Sequence, residues 1–227
     1  MTLDSNMQNI NGWFLLDNEQ DMPMVESAQR APNDCNYKDW HTNFIDDILE
    51  LYAPDMERRV ALDIGGCVGM MAVPFAQQYE QVHTFEINPQ IRECLKLNTE
   101  KYPNVTVHDH GLSDKEGPVR FSVLPWSGGS RVSPNGEQVF EVKTLDSFEF
   151  ENVDLIKMDV EGHEYQAMIG ASETVKRCKP LIITEIHSRR DRRNYKYRQA
   201  LFAHMKMLDY ELIDVRQADY IWRHKYE

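Results

Sequence analysis

The chain has 227 residues, of which 41% are hydrophobic and 27% charged, so it can bury one large core, and its composition indicates neither disorder nor a fibrous repeat. Its formal net charge of −12 disfavours a general nucleic-acid-binding protein, because an acidic surface repels phosphate groups. The sequence has no run of the ~20 apolar residues that a membrane-spanning helix needs, no secretory signal pattern and four scattered cysteines without metal-ligand spacing. We therefore expect a cytoplasmic protein with no membrane span.

The first 40 residues differ from the rest of the chain. They are polar and show no clear periodicity, which predicts an irregular N-terminal arm or lid before one domain over residues 41–227. That domain opens with apolar residues at helical spacing from Trp40 to Tyr52, and Pro54 should end this helix.

Strand-like and helix-like segments then alternate, which favours an α/β fold with a doubly wound, mostly parallel sheet. Asn88 and Pro89 suit the N-cap and first position of one of the helices. The predicted strands are 59–65, 81–87, 105–111, 154–160 and 181–187, and the predicted helices are 68–79, one from residue 88, 164–178 and 194–208.

Two segments depart from this alternation. Residues 112–145 contain two strand-like runs around a loop rich in Gly and Ser, which predicts an antiparallel hairpin insertion. Residues 210–215 and 220–224 resemble a closing hairpin, which would add an antiparallel strand to the parallel sheet. The predicted fold is therefore a Rossmann-like mixed sheet with an antiparallel terminal strand.

The segment Asp63-Ile64-Gly65-Gly66-Cys67-Val68-Gly69 lies where a buried strand turns towards a helix, which is the ligand crevice of an open α/β sheet. It fits neither the dinucleotide motif nor the phosphate loop. Asp63 would repel phosphate but attract a cation, and Glu86, at the end of the next strand, can accept hydrogen bonds from ribose hydroxyls. The combination predicts a nucleoside ligand with a cationic tail, and S-adenosylmethionine is such a ligand.

Two further strand ends carry acids and histidines. Asp159, Glu161 and His163 follow the fourth parallel strand, and Glu185 and His187 follow the fifth. Carboxyl ends of parallel strands share one edge of the sheet, so these side chains could line one pocket. Glu161 and Glu164 also suit a helix start, where acids are favoured.

At these motifs the chain resembles the FkbM family of S-adenosylmethionine-dependent methyltransferases. The similar segments are LDIGGCVG (62–69), TFEINP (84–89), HGLSDKEG (110–117), TLDSF (144–148) and DLIKMDVEGHE (154–164). The family usually has Asn where this chain has Cys67. The resemblance implies a class I methyltransferase sheet and O-methylation, commonly of hydroxyls on sugars or secondary metabolites.

The resemblance also implies roles for individual residues. The glycine segment, with Asp63, Gly65, Gly66 and Gly69, would hold the methionine end of the cofactor, and Glu86 would hold the ribose. Asp109 and Gly111 would lie near the adenine, and Asp159 and Glu161 would face the reacting centre. A metal ion is not required.

Several residues are candidates for deprotonating or binding the methyl acceptor. A hydroxyl must lose its proton, so His163 is our candidate base, with His187, Asp159 and Glu161 as alternatives. Trp126, Ser130 and Arg131 could cover a sugar ring, with Glu185 and His187 as further contacts. Arg189 opens a basic run that could clamp an anionic substrate or simply be solvated.

Two other functions stay open from the sequence. One is a nucleic-acid or nucleotide methyltransferase, which the net charge and the absence of an Asn/Asp-Pro-Pro-aromatic motif disfavour. The other is a non-catalytic cofactor-binding protein, which the presence of Glu86 and of the acids at 159–164 disfavours.

Overall fold

A computed structural model describes residues 7–17, 22–30, 32–33, 40–124, 129–186 and 192–226. The strands are β1 (Met7–Ile10), β2 (Trp13–Leu16), β3 (Val60–Ile64), β4 (Gln81–Phe85), β5 (Val105–His108), β6 (Gly111–Leu112), β7 (Gly117–Ser122), β8 (Arg131–Val132), β9 (Gln138–Lys143), β10 (Val153–Met158), β11 (Leu181–Glu185), β12 (Tyr210–Arg216) and β13 (Asp219–His224). The helices are α1 (Met22–Arg30), α2 (Trp40–Tyr52), α3 (Ala72–Ala76), α4 (Pro89–Thr99), α5 (Glu164–Ile169), α6 (Ser172–Cys178) and α7 (Arg192–Met207), and Leu145–Phe148 forms a short 3-10 turn.

The central sheet has seven strands in the order β12-β13-β11-β10-β3-β4-β5. Strands β11, β10, β3, β4 and β5 are parallel neighbours, whereas β13 runs antiparallel to both β11 and β12. The predicted mixed sheet with an antiparallel strand near its end is confirmed. The strand order also brings the carboxyl ends of β3, β4 and β10 side by side.

The central strands are apolar because both of their faces are covered. Every residue of β3 and of β10 is buried. Leu62 and Ile156 pack into one core with residues of α5, α6 and α7, while Ala61 and Leu155 pack into a second core with α2 and α3. Such continuous apolar runs are typical of buried parallel strands.

The insertion forms a small sheet of its own, in the order β6-β9-β7-β8. Strand β7 pairs antiparallel with β9, which confirms the predicted pair of strands, and β9 also pairs in parallel with β6. The insertion is therefore anchored to the segment that follows β5.

The N-terminal segment corrects our expectation of irregular structure. Strands β1 and β2 form an antiparallel hairpin, and Trp13 and Leu15 are fully buried. Asn11 and Gly12 connect the strands with positive φ angles of 52° and 89°, as the commonest two-residue hairpin turns require. The Asn-Gly pair in the sequence was the signal for this hairpin.

Two predicted helices are shorter than expected. The helix predicted for 68–79 is α3, only Ala72–Ala76, because Gly69 has a φ of 97°, outside the helical region. The helix predicted for 164–178 is divided into α5 and α6 at Gly170. A side chain at Gly170 would overlap with the carbonyl oxygen of Ser113, so glycine at this position lets the insertion approach closely. No helix in the described part of the chain is long and apolar enough to cross a membrane.

Replacement of Tyr210 by Phe tests the contact between the amino ends of β11 and β12. The Tyr210 hydroxyl is buried and donates to the carbonyl oxygen of Pro180 at 2.8 Å. We expect Tyr210→Phe to lower the free energy of unfolding by about 1–3 kcal/mol in urea titrations, because the carbonyl loses a buried partner. Tyr226→Phe, at a side chain that is 76% exposed, is the control and should change little. Equal effects would contradict the role of this hydrogen bond.

Candidate functional site

A cleft that is open to solvent lies where the carboxyl ends of β3, β4 and β10 face the insertion sheet, which is the usual place for ligands in open α/β sheets. Its lining is mostly apolar with a few polar groups. The lining residues are Ile64, Gly65, Cys67, Phe85, Glu86, Ile87, Ile91, Gly111, Leu112, Phe121, Ser130, Val132, Val142, Asp159, Val160, Glu161 and His163.

The glycine turn, residues 65–69, forms one wall of this cleft. The N–H groups of Gly65 and Gly66 both donate to the carbonyl oxygen of Phe85, at 3.0 and 2.9 Å. Gly65 has a φ of 92°, and a side chain there would overlap with the carbonyl oxygen of Asp159. Only glycine therefore lets the turn cross the end of the sheet between β4 and β10.

Glu86 is buried beside the turn, and both of its carboxylate oxygens accept backbone hydrogen bonds. The N–H of Cys67 donates to Oε2 at 3.0 Å, and the N–H of Asn88 donates to Oε1 at 2.8 Å. Burial raises the pKa of Glu86 to about 7, against the effect of these two bonds. Each oxygen keeps further lone-pair capacity, so Glu86 can still accept hydrogen bonds from a ligand.

Cys67 occupies the position at which the family usually has Asn. Its φ is 48°, in the left-handed region where Asn is better tolerated than most residues. The contact with Glu86 comes from the backbone N–H of Cys67, so it does not depend on which side chain stands there.

Asp63 lies behind the turn and outside the cleft lining. It is buried, and Thr84 Oγ1 donates to its Oδ2 at 3.0 Å. Burial raises the pKa of Asp63 to about 6, and the negative charge of Asp63 contributes to the raised pKa of Glu86. The two predicted acids are therefore close enough to interact.

Asp159 faces the cleft from the end of β10 as part of a charged cluster. Burial raises the pKa of Asp159 well above its usual range, Lys157 opposes this, and Glu185 adds to it. Lys157 Nζ contacts Asp219 at 3.0 Å and Glu185 at 3.4 Å. Among the described residues, Asp159 Oδ1 has no hydrogen-bond partner although it is buried.

His163 lines the cleft and contacts the insertion. Its Nε2 lies 2.8 Å from the hydroxyl oxygen of Ser113, and that hydroxyl donates to Asp114 at 3.0 Å. If Ser113 donates to Asp114, Nε2 of His163 is the donor to Ser113, which leaves Nδ1 able to accept a proton. Burial lowers the pKa of His163, so the ring is neutral near pH 7.

The loop between β10 and α5 has an unusual backbone that Glu164 stabilises. Glu161 and Gly162 have φ values of 55° and 98°. The Glu164 carboxylate accepts the N–H groups of Gly162 at 2.9 Å and Val160 at 3.4 Å. Glu164 thus opens α5, as the sequence indicated, while Glu161 lines the cleft.

The other predicted site residues are divided between the cleft and its surroundings. Gly111 and Ser130 line it, and Ser130 also accepts the N–H of Leu124 at 3.0 Å. The lining does not include Gly66, Gly69, Asp109, Arg131 or Glu185. Trp126, His187 and Arg189 lie outside the described residues.

The sequence analysis missed the apolar part of the lining. Ile87 directly follows Glu86 and could have been found from its position at the end of β4, because strand ends face the crevice. Phe121, Val132 and Val142 come from the insertion sheet, whose placement no local pattern indicated. Within the described residues, no group of three His, Cys, Asp or Glu side chains is arranged to hold a metal ion.

Comparisons with known proteins agree with this geometry. A family model described as the methyltransferase FkbM domain matches residues 63–221. The hexuronic acid methyltransferase AglP of Haloferax volcanii is 27% identical over 150 residues, which cover 63% of this chain and 62% of that protein. The chain thus spans less than two thirds of the length of this curated relative.

Solved structures share the fold at low sequence identity. The FkbM methyltransferase of Methylobacillus flagellatus has a TM-score of 0.55 and 17% identity, covering 78% of this chain and 47% of that one. An O-methyltransferase of Bacillus cereus in complex with SAH has a TM-score of 0.53 and 13% identity, covering 89% and 88%. Such similarity establishes the class I methyltransferase fold.

The raised pKa of Glu86 predicts a specific pH dependence of stability. The folded state holds this proton up to about pH 7, whereas the unfolded chain releases it near 4.5. The stabilisation is therefore complete below pH 4.5 and is lost as the pH rises to about 7, by about 1.4 kcal/mol for each unit of pKa difference. Urea titrations from pH 5 to 8 should show that Glu86→Gln removes this loss.

The matched control for the pH series is Glu100→Gln, at an exposed carboxylate that follows α4. It should follow the wild-type pH dependence. A Glu86→Gln variant that also follows the wild type would contradict the raised pKa.

Proposed function

Because this chain belongs to the FkbM methyltransferase family, we propose that it is an S-adenosylmethionine-dependent methyltransferase. The observation that carries the proposal is the convergence of the glycine turn and the buried carboxylate of Glu86 on one open cleft. A nucleoside with a cationic tail fits this site better than a phosphate ligand, because the N–H groups of Gly65, Gly66 and Cys67 already donate to Phe85 and Glu86 and are not available to a phosphate.

Different parts of the cleft would bind different parts of the cofactor. Glu86 would accept the ribose hydroxyls, and the apolar side chain of Ile87 beside Gly111 would border the adenine ring. The unpartnered Oδ1 of Asp159 is a buried acceptor for the cationic end, and Gly65 permits close approach to the backbone. When bound, the cofactor supplies an activated methyl group, and the protein supplies orientation.

His163 would remove the proton of the acceptor hydroxyl. Its ring is neutral near pH 7 because burial lowers its pKa, and Ser113 fixes one ring nitrogen at 2.8 Å. Asp159 and Glu161 would orient the acceptor or the cofactor. A carboxylate close to the sulfonium stabilises the charged ground state more than the transition state, so Lys157 beside Asp159 would moderate this unfavourable effect.

The acceptor that we propose is an oxygen of a sugar, a sugar acid or a related small metabolite. The relative AglP is by name a hexuronic acid methyltransferase, and the cleft carries polar groups suited to a hydroxyl acceptor, Ser130, Glu161 and His163. An anionic acceptor would draw on Arg189 and the basic run after it. In this proposal, residues 41–227 form the catalytic domain and residues 1–40 an arm appended to it.

Cofactor binding tests the central claim. Calorimetry at pH 8, above the pKa of about 7 of Glu86, should show that the purified protein binds S-adenosylmethionine and S-adenosylhomocysteine. Glu86→Gln should weaken both by about 1.5–3 kcal/mol, the usual contribution of a hydrogen bond to a charged group. Glu100→Gln should bind as the wild type does. A wild-type protein that gives neither heat nor a thermal shift with either ligand would exclude the proposed function.

A His163→Asn variant tests the assignment of the base. With labelled S-adenosylmethionine and p-nitrophenyl glucuronide as the acceptor probe, its turnover should fall by about 10²–10⁴-fold while cofactor affinity is kept. His204→Asn is a matched control, because His204 Nε2 also contacts a serine hydroxyl, Ser172 Oγ at 2.9 Å, and burial also lowers its pKa. Equal turnover in both variants would show that His163 is not the base.

The acceptor itself needs a broader search. Labelled cofactor incubated with extract of the source cells, followed by mass spectrometry of the labelled product, would identify it. A labelled nucleic acid as the main product would contradict the proposed acceptor class.

A further inference from the structure

The side chain of Asn98 joins the N-terminal hairpin to helix α4. Asn98 is fully buried near the end of α4. Its Oδ1 accepts the N–H of Phe14 at 2.7 Å, and its Nδ2 donates to the carbonyl oxygen of the same residue at 2.9 Å. The amide therefore pairs with both backbone groups of one strand residue, as a neighbouring strand would.

The same amide also holds the glycine turn. Asn98 Nδ2 donates to the carbonyl oxygen of Val68 at 2.7 Å, and Val68 lies between Cys67 and Gly69 within the turn. A side chain at Gly69 would press against Leu95, with Asn98 and Thr99 also close. The last two turns of α4 thus form the surface on which the glycine turn rests.

Helix α4 connects this contact with Glu86 at its other end. Asn88, the N-cap of α4, donates its N–H to Glu86 Oε1. The carboxylate and the turn are therefore both fixed relative to the same helix. A change in the position of α4 would move both of them.

The hairpin contributes packing as well as hydrogen bonds. Trp13 and Leu15 are fully buried in a cluster that includes Val68, Met70 and Ile91, and Ile91 also lines the cleft. The described hairpin residues themselves do not line the cleft. They lie one layer behind it, against the residues that shape it.

We propose that Asn98 is a positioning residue, through which the hairpin of residues 7–17 sets the shape of the glycine turn and thereby the affinity for the cofactor. This hairpin precedes the family match at 63–221. The inference rests on the proposed function, because it concerns the same cleft.

An Asn98→Ala variant separates positioning from simple structural support. A structural role alone would lower the melting temperature but leave the affinity of the folded protein unchanged. We expect calorimetry with S-adenosylhomocysteine, well below the melting temperature, to show at least a fivefold loss of affinity, the lower end of the about 5–150-fold range of coupled sites.

The matched control is Asn104→Ala. Asn104 Nδ2 also donates to two carbonyl oxygens, those of Ala76 at 2.8 Å and Tyr79 at 2.9 Å, but these lie away from the turn. This variant should lose stability and keep the wild-type affinity. Wild-type affinity in Asn98→Ala, or an equal loss of affinity in both variants, would overturn the proposal.

Hydrogen exchange on the wild-type protein gives a second test, which does not depend on the folding of any variant. Coupling between two sites is reciprocal, so S-adenosylhomocysteine should slow exchange in residues 7–17 as well as in residues 65–71. Slower exchange in the turn alone would contradict the coupling while leaving the proposed function intact. If the wild type binds no S-adenosylhomocysteine, it is the proposed function that fails.

Discussion

Glu86 holds the candidate site together, because its two oxygens bind the backbone of two separate segments. One oxygen accepts the N–H of Cys67 in the glycine turn, and the other accepts the N–H of Asn88 at the start of α4. The carboxylate is buried, and removing it would leave two backbone donors without these partners, which is costly in a dry environment. The turn, the helix and the strand β4 can therefore adopt few other arrangements around this group.

The buried acids of the site are tolerated because their negative charges are partly neutralised. Burial raises the pKa of Glu86 and of Asp63 towards neutrality, while Lys157 lies beside Asp159, Glu185 and Asp219. An isolated buried carboxylate is expensive, whereas one that is paired or protonated is much less so.

Local patterns were sufficient to predict the main sheet. The apolar runs that became β3 and β10, the Asn88-Pro89 helix start and the closing hairpin all carry their signals within a few residues, and the structure confirms them. The glycine turn was equally clear, because its position after a buried strand has few structural solutions. The resemblance to the FkbM family, now supported by the match at 63–221, rested on these same segments.

Features that depend on distant contacts could not be predicted in this way. Gly170, between α5 and α6, packs against the carbonyl oxygen of Ser113, which lies 57 positions earlier in the sequence. Burial of Trp13 depends on α4, and the apolar lining depends on how the insertion folds over the crevice. The Asn11-Gly12 turn was a local signal that was overlooked. The roles of Asp159, Glu161 and His163 stay predictions.

The cleft has two walls, one from the central sheet and one from the insertion sheet. Glu86 and the glycine turn belong to the central sheet, whereas Phe121, Val132 and Val142 project from strands that pair among themselves. Substitutions on the second wall can reshape the space opposite the acids while the hydrogen bonds of the first remain in place. During divergence, a protein built in this way can change the apolar side of its cleft while the hydrogen bonds around Glu86 stay intact.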